Sequence, residues 1–315
     1  MVTVLTNGTV VLENSILEDG AVLINGTRIE YIGPSSSIKV HENMKIYNCM
    51  GNFILPGLID IHSDAIENVI VPRKGIIFNV DFAIHEIDRQ LASQGITTTY
   101  HSISIANSTI CNRKRTLNIK KLLNIEKYIN KYPENQLLIN HKFHARLEIT
   151  SVNICNDLIK LLEKGKIHEI SIMDHTPGQG QYSNLEIFKK EITKQYGYLS
   201  DKKKDLIVKQ CQHKKKINQK ILKNILMLAH RMNIPTAFHD VHSEKQLQWM
   251  QMHHIKICEF PLNLKIASYA SSRGYSCVVG APNVLQGKSH NHNASAIDLL
   301  IYKHANILCS DYLPA

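Results

Sequence analysis

The chain has 315 residues, 43% of them hydrophobic, and a formal net charge of +10 at pH 7. That length suits one large α/β domain or two unequal ones, with apolar residues enough for a sizeable core. No apolar run reaches about 18 residues, and the N-terminus lacks a basic stretch followed by an apolar one, so neither a membrane span nor a secretion signal is expected. The seven cysteines are scattered and odd in number, with no Cys-x-x-Cys. This argues against a disulfide framework and a thiolate zinc site, and it suits a cytoplasmic protein. Much of the excess charge lies between Lys202-Lys-Lys204 and Lys214-Lys-Lys216. A lysine run is ordinarily a solvated face. No aromatic pattern of a nucleic-acid binder accompanies it, so no nucleic-acid partner is expected.

Residues 1–50 read as a small β domain. Asn7-Gly8 and Asn25-Gly26 separate β-rich runs (Val2–Leu5, Thr9–Leu12, Ala21–Ile24, Arg28–Ile32), the short-range signature of hairpins. From residue 51 to 315 the pattern changes to strand, loop and helix. The run Phe53–Ile61 predicts a buried parallel strand that ends abruptly in His62-Ser-Asp64. Residues two apart on a strand face the same way, so His62 and Asp64 can approach one ion together.

A helix over 82–93 follows, with Ala83, Ile84, Ile87 and Leu91 on one face. Ile96–Tyr100 is the second barrel strand, and 119–129 reads as a helix. Lys142–Glu148 is the third strand, and Cys155–Lys164 a helix. Ile167–Met173 is the fourth strand, ending in Asp174-His175. After the lysine-rich insertion comes a helix around Ile217–Leu228, then strand Pro235–Phe238 with His239-Asp240 at its end. Ile255–Phe260, Cys277–Gly280 and Ala305–Cys309 complete the set, the last ending in Ser310-Asp311. Eight strands alternating with helices predict an α/β (β/α)8 TIM-like barrel, whose C-terminal strand ends carry the chemistry.

The polar residues at those ends include His62, Asp64, Glu148, Asp174, His175, His239, Asp240, Asn283 and Asp311. Imidazole and carboxylate are ligands for Zn, Mn and Fe, and carboxylates suit Mg. A glutamate between imidazoles can bridge two ions roughly 3.5–4 Å apart, and the last aspartate can serve as general base. Gly287-Lys288-Ser289 mimics a P-loop, but Pro282 stands where the first glycine is needed. The pair His253-His254 lacks a second ligand motif, and His290-Asn-His292 reads as a polar loop over the mouth.

These residues match a known pattern. Pro56-Gly-Leu-Ile-Asp-Ile-His62-x-Asp64 after a small β unit resembles the amidohydrolase superfamily. Pro72-Arg73, Gly95-Ile-Thr-Thr98, His144-Ala-Arg-Leu-Glu148, Met173-Asp-His175-Thr-Pro-Gly-Gln179, His239-Asp240, Glu259-Phe-Pro261, Gly280-Ala-Pro-Asn283, Gly287-Lys-Ser-His290 and Ser310-Asp311-Tyr312 follow in order. Together they resemble the PhnM family, the diphosphatases of the carbon–phosphorus lyase pathway of phosphonate metabolism. The resemblance implies a cytoplasmic metal-dependent hydrolase that converts alpha-D-ribose 1-methylphosphonate 5-triphosphate to the 5-phosphate and pyrophosphate. It implies His62, Asp64, Glu148, His175, His239 and Asp311 as ligands of two divalent ions (Mn, Mg, Zn or Fe), with Asp311 also the catalytic proton acceptor. Arg73, Asn283, Lys288 and His290 are its candidates for binding the sugar triphosphate substrate. A homo-oligomer is compatible with the sequence.

Three departures bear on specificity: Val241 where a carboxylate is common, His101 where an acid is usual, and His292 for a glycine. Family members also continue beyond the position of Ala315. The expectation is therefore a truncated chain whose small β domain lacks its C-terminal half, with an unpaired sheet edge and an uncovered barrel face. Two other readings stay open at this point: an amidohydrolase acting on a cyclic amide or a nucleotide, and an inactive remnant.

Overall fold

The computed structural model describes residues 2–39, 41–73, 76–105, 127, 136–287 and 294–313. The chain divides into two compact units, Met1–Leu58 and Ile59–Ala315. The sequence pattern placed this change at residue 50. The structure places it later because a short strand at 53–54 still pairs within the first sheet.

The first unit is a five-stranded sheet of β1 (Val2–Val11), β2 (Ile16–Asn25), β3 (Arg28–Pro34), β4 (Met44–Asn48) and β5 (Phe53–Ile54), in the order β3-β2-β1-β4 with β5 also on β1. Asn25 pairs with Arg28 around the hairpin expected at Asn25-Gly26. The hairpin expected at Asn7-Gly8 is overturned. β1 runs straight through it, with a register shift between Leu5 and Gly8 and a φ of 53° at Asn7. Bulges and hairpin turns need the same positive φ, so the dipeptide alone does not distinguish them. Gly8 has a steric reason as well: a Cβ there would come within 2.5 Å of Ile54 Cδ1.

The single strand expected over 53–61 is also corrected. Pro56-Gly57 breaks it, since proline donates no backbone hydrogen bond. β5 remains with the first sheet, and β6 (Leu58–Ser63) starts the barrel. Leu58 and Ile59 are exposed, and burial is reached only from Asp60 onward, where Asp60, His62 and Ser63 are buried.

The second unit is an eight-stranded sheet in sequence order, β6 through β7 (Ile96–Ile105), β8 (Asn140–Glu148), β9 (Glu169–Met173), β10 (Thr236–His239), β11 (Ile257–Glu259), β12 (Ser276–Gly280) and β13 (Ile307–Cys309). The registered pairs from β7 to β13 are parallel. A parallel bridge between Ser63 and Asp311 closes the ring. Buried Asp60 reinforces the closure, accepting from the Ser310 hydroxyl and from the Ser310 N–H at 3.2 Å. These eight strands are the ones the sequence pattern predicts.

Helices cover the outside of the ring. α1 (Val80–Ser93) buries Ala83, Ile84, Ile87 and Leu91, and is capped by Asn79, which accepts from Asp81 N at 2.8 Å. α2 (Cys155–Glu163) buries Leu158, Leu161 and Leu162. The helix expected over 119–129 lies outside the described residues, apart from Lys127. The lysine-rich insertion folds as two helices, Leu185–Tyr196 and Asp201–Gln212, over a small core of Tyr182, Phe188, Ile192, Val208 and Cys211. Among the described residues no helix is long and apolar enough to cross a membrane.

Alternation sorts the strand residues between the two faces. On β8, Phe143, Ala145 and Leu147 join the helix-side core, which leaves His144, Arg146 and Glu148 on the inner face. One polar cluster sits in the helix-side layer. Buried Asp88 accepts from Leu138 N at 2.9 Å and Ile139 N at 3.0 Å, and meets His141 Nε2 at 3.1 Å, whose ring contacts His101 at 2.8 Å. Asp88→Ala would leave these donors buried without an acceptor. It is expected to cost about 3 kcal/mol in urea unfolding; a loss below about 1 kcal/mol would show that the loop finds other acceptors.

Candidate metal centre

Three residues that follow barrel strands take the left-handed backbone conformation: Asp240 at φ 57°, Phe260 at φ 50° and Asp311 at φ 56°. Each costs about 1–3 kcal/mol locally. Each is held by a cross-strand bond: Asp240 N to Glu259 O at 2.9 Å, Phe260 N to Val278 O at 3.0 Å, and Asp311 N to His62 O at 2.9 Å. The mouth is thus built on enforced backbone. Gly280 makes room for Asp311, because a Cβ there would meet Asp311 Oδ2 at 3.3 Å.

His62 and His144 form the first cluster with Glu259. His62 Nδ1 donates to Glu259 Oε1 at 2.9 Å, and His144 Nε2 lies 3.7 Å from the same oxygen. The carboxylate fixes the tautomer and presents the His62 Nε2 lone pair. That atom is buried with no hydrogen-bond partner, as is Glu259 Oε2. His144 is more committed. Its Nδ1 meets Ser102 Oγ at 3.0 Å and Ile61 O at 3.3 Å, and its Nε2 meets Ser171 Oγ. Burial, with the Arg146 charge behind it, pushes His62 down to about 3. Burial likewise holds His144 at about 3. Both rings are neutral at pH 7, as ligands must be.

The second cluster is His175, His239 and Asp240. His175 Nδ1 contacts Glu148 Oε2 at 2.7 Å, and Nε2 lies 3.6 Å from Asp240 Oδ2. Burial alone would lower His175, but the Glu148 charge and the Glu148 and Asp240 contacts outweigh it and raise it to about 9. His239 Nε2 accepts from Arg146 Nη2 at 3.1 Å, and its Nδ1 lies 3.6 Å from Asp240 Oδ1. Burial and then Arg146 keep His239 well below its ordinary value. The His239 ring centroid lies 5.6 Å from that of His175 and 5.8 Å from that of His62, so the two clusters adjoin. Asp64 Oδ1 is paired with Arg146 Nη1 at 3.0 Å.

Three atoms of ligand type here are buried without a hydrogen-bond partner, His62 Nε2, Asp240 Oδ2 and Glu259 Oε2, and so is His239 Nδ1, which carries the ring proton while Nε2 accepts from Arg146. Buried polar atoms are nearly always satisfied, so four orphans in one place need an explanation. Two histidine–carboxylate sets whose ligand atoms lie within 4.8 Å of one another supply it. This donor set suits Mn, Fe or Zn.

Of the residues singled out in the sequence, His62, Asp64, Glu148, His175 and His239 come together through these contacts. Asp311 joins them through its backbone, its carbonyl accepting from Asp64 N at 2.7 Å. Asn283 is elsewhere engaged: its Nδ2 donates to Ala294 O at 3.1 Å, and its Oδ1 accepts from Ala296 N at 3.1 Å. Arg73 is exposed, its backbone bridged to Ile76. Lys288 and His290 lie outside the described residues. Val241, where a carboxylate is common, is fully buried in the core.

The site also holds residues that the sequence pattern passes over. His144 and Arg146 share the face of Glu148 at two-residue spacing, and Glu259 is the register partner of His239. The reading of the lysine-rich run as a solvated face holds for exposed Lys202, Lys203, Lys215 and Lys216, while Lys214 is half-buried. Lys214 lines a shallow cleft with Glu148, Thr150, His175, Thr176, Pro177 and Cys211. Lys216 pairs with Asp174 at 2.9 Å.

No family model matches the chain. It is 27% identical over 312 residues to alpha-D-ribose 1-methylphosphonate 5-triphosphate diphosphatase of Escherichia coli (strain K12), covering 99% of this chain and 80% of that one. Among solved structures it resembles molinate hydrolase at a TM-score of 0.62, with 12% identity over 98% of this chain and 73% of that one. It also resembles a triazine hydrolase variant at a TM-score of 0.59, with 10% identity over 100% of this chain and 72% of that one. The chain is thus similar over 99% of its length to that diphosphatase, of which it spans 80%, and it shares the barrel fold of these hydrolases.

Proposed function

We propose that the chain is a divalent-metal-dependent diphosphatase that hydrolyses a ribose 5-triphosphate between its α- and β-phosphates, yielding the 5-phosphate and pyrophosphate. The observation that carries this reading is the pair of adjoining histidine–carboxylate clusters with four buried polar atoms lacking hydrogen-bond partners at a barrel mouth. The substrate is proposed on the similarity to the diphosphatase aligned over 99% of the chain.

In this reading His62, Asp64, Glu148, His175, His239 and Asp311 hold the ions, with Glu259 and Asp240 beside them. Bound divalent ions would polarise the phosphoryl oxygens and acidify water. Asp311 takes the proton of the attacking water, the general-base role. Because the Glu148 charge holds His175 protonated up to about 9, an ion taken up by His175 at neutral pH would have to displace that proton. Lys214 places positive charge in the cleft beside Glu148 and His175, suited to a phosphate chain.

The test is pyrophosphate release by the purified chain from a ribose or nucleoside 5-triphosphate, with Mn²⁺ or Mg²⁺ added and with excess chelator. Metal-dependent release from the triphosphate supports the reading. Turnover of a cyclic amide in its place would move the chain to another amidohydrolase activity.

A further inference from the structure

Arg146 holds an unusual place in this site. It lies on the inner face of β8 between His144 and Glu148, and its side chain is only 10% exposed. Its guanidinium donates through Nη1 to Asp64 Oδ1 at 3.0 Å and through Nη2 to His239 Nε2 at 3.1 Å. Asp64 and His239 are two of the six residues proposed to hold the ions. The arginine therefore occupies lone pairs that a divalent cation would need. A buried ion pair resists being opened, because removing one partner leaves the other charge uncompensated. A cation entering between Asp64 and His239 replaces the arginine's charge as it displaces the arginine, so neither acceptor is left bare.

We infer that Arg146 is the site's built-in counter-cation: it holds Asp64 and His239 in place in the metal-free protein, gives up both to an entering divalent ion, and turns its freed fork to the phosphate anion that the ion binds. This rests on the diphosphatase reading and names the residue that couples metal occupancy to phosphate binding. The planar guanidinium fits because two acceptors in parallel suit Asp64 and His239 in one state and two phosphate oxygens in the other. A lysine would keep the charge and lose the fork.

The coupling has a sign that a purely structural arginine would not give. Removing Arg146 removes the competitor for Asp64 and His239, so metal affinity should rise. The same change removes the phosphate contact, so anion affinity of the loaded protein should fall. Mn²⁺ affinity can be read from the electron paramagnetic resonance signal of free Mn²⁺, and pyrophosphate affinity of the Mn²⁺-loaded protein by calorimetry. Relative to wild type, Arg146→Gln is expected to bind Mn²⁺ about tenfold more tightly and pyrophosphate about tenfold more weakly. Arg146→Lys should fall between the two on both readouts.

Unchanged or weaker Mn²⁺ binding by a folded Arg146→Gln would overturn the inference and leave Arg146 a fixed strut. If Arg146→Gln does not fold, Arg146→Lys decides in the same way, with tighter Mn²⁺ binding for the inference and equal or weaker binding against it. Wild-type protein that binds no Mn²⁺ would sink the diphosphatase reading together with this one, an outcome distinct from wild-type binding that Arg146→Gln leaves unaltered.

Discussion

Asp311→Asn is expected to lower pyrophosphate release by about a thousandfold at saturating Mn²⁺, within the range of a lost general base. The substitution is chosen because the fold should not notice it. Asp311 sits at φ 56°, in the left-handed region, which asparagine tolerates about as well as aspartate. Its backbone closes the barrel by donating to His62 O and accepting from Asp64 N, and neither bond involves the side chain. Asparagine also has the shape of aspartate and fits the space against Gly280. The melting temperature should therefore stay within about 4 °C of wild type. Alanine is a poorer choice, since it would strain the same φ and confuse lost chemistry with lost closure. Asp311→Asn retaining more than a tenth of wild-type activity would remove Asp311 from the proton-accepting role and point to Asp240 or Glu259. A weaker Mn²⁺ affinity in the same variant would place Asp311 among the ligands as well.

The barrel was legible in the sequence because its strands are buried on both faces. The run Cys277–Gly280 is short and apolar, as a parallel strand between helices must be, and Glu169–Met173 is buried along its whole length. The first unit was less legible. Asn7-Gly8 satisfies a bulge as readily as a turn, and only the pairing of β1 with β2 on both sides of it separates them. In the site, the legible residues were those at abrupt apolar-to-polar switches: His62, His175, His239 and Asp311. His144 and Arg146 were hidden because a polar residue at every second position of a strand ordinarily marks the solvent face. Inside a barrel the same alternation marks the lumen. Lys214 was hidden for a different reason. No local pattern tells a lysine over a cleft from one in open solvent, because that depends on where the two inserted helices fold back.

Metal-free protein is expected to lose stability steeply as pH falls from about 6.5 toward about 3. The cause is four histidines that the fold buries neutral. Burial, with the Arg146 charge second, depresses His62 to about 3; burial also depresses His144 to about 3 and takes His101 and His239 well below the ordinary value. An unfolded chain protonates each of them near 6.5, so their contribution is fully present above 6.5 and is lost as pH falls through the folded values. Two buried carboxyls act in the opposite sense. Burial raises Asp60 and, with the Glu259 charge, takes Glu169 well above the ordinary range, so each holds a proton in the fold that the unfolded chain has released. Half-buried His168, lowered to about 4 by burial, adds a fifth, so the histidines outnumber them by three, and three net protons give a slope of about 4 kcal/mol per pH unit. His175 sets the other limit. Raised to about 9 chiefly by Glu148 against the pull of burial, it contributes stability that is present below 6.5 and lost as pH rises through 9. Thermal melts of chelator-treated protein should therefore be highest near neutrality and fall on both sides. Saturating Mn²⁺ should move the acid limb to lower pH, because an ion bound to the fold alone stabilises it by mass action until protons displace it. A melting temperature that stays level from pH 7 to about 4.5 without metal would mean that these histidines already carry protons in the fold, and the buried neutral cluster that the proposed chemistry needs would not exist.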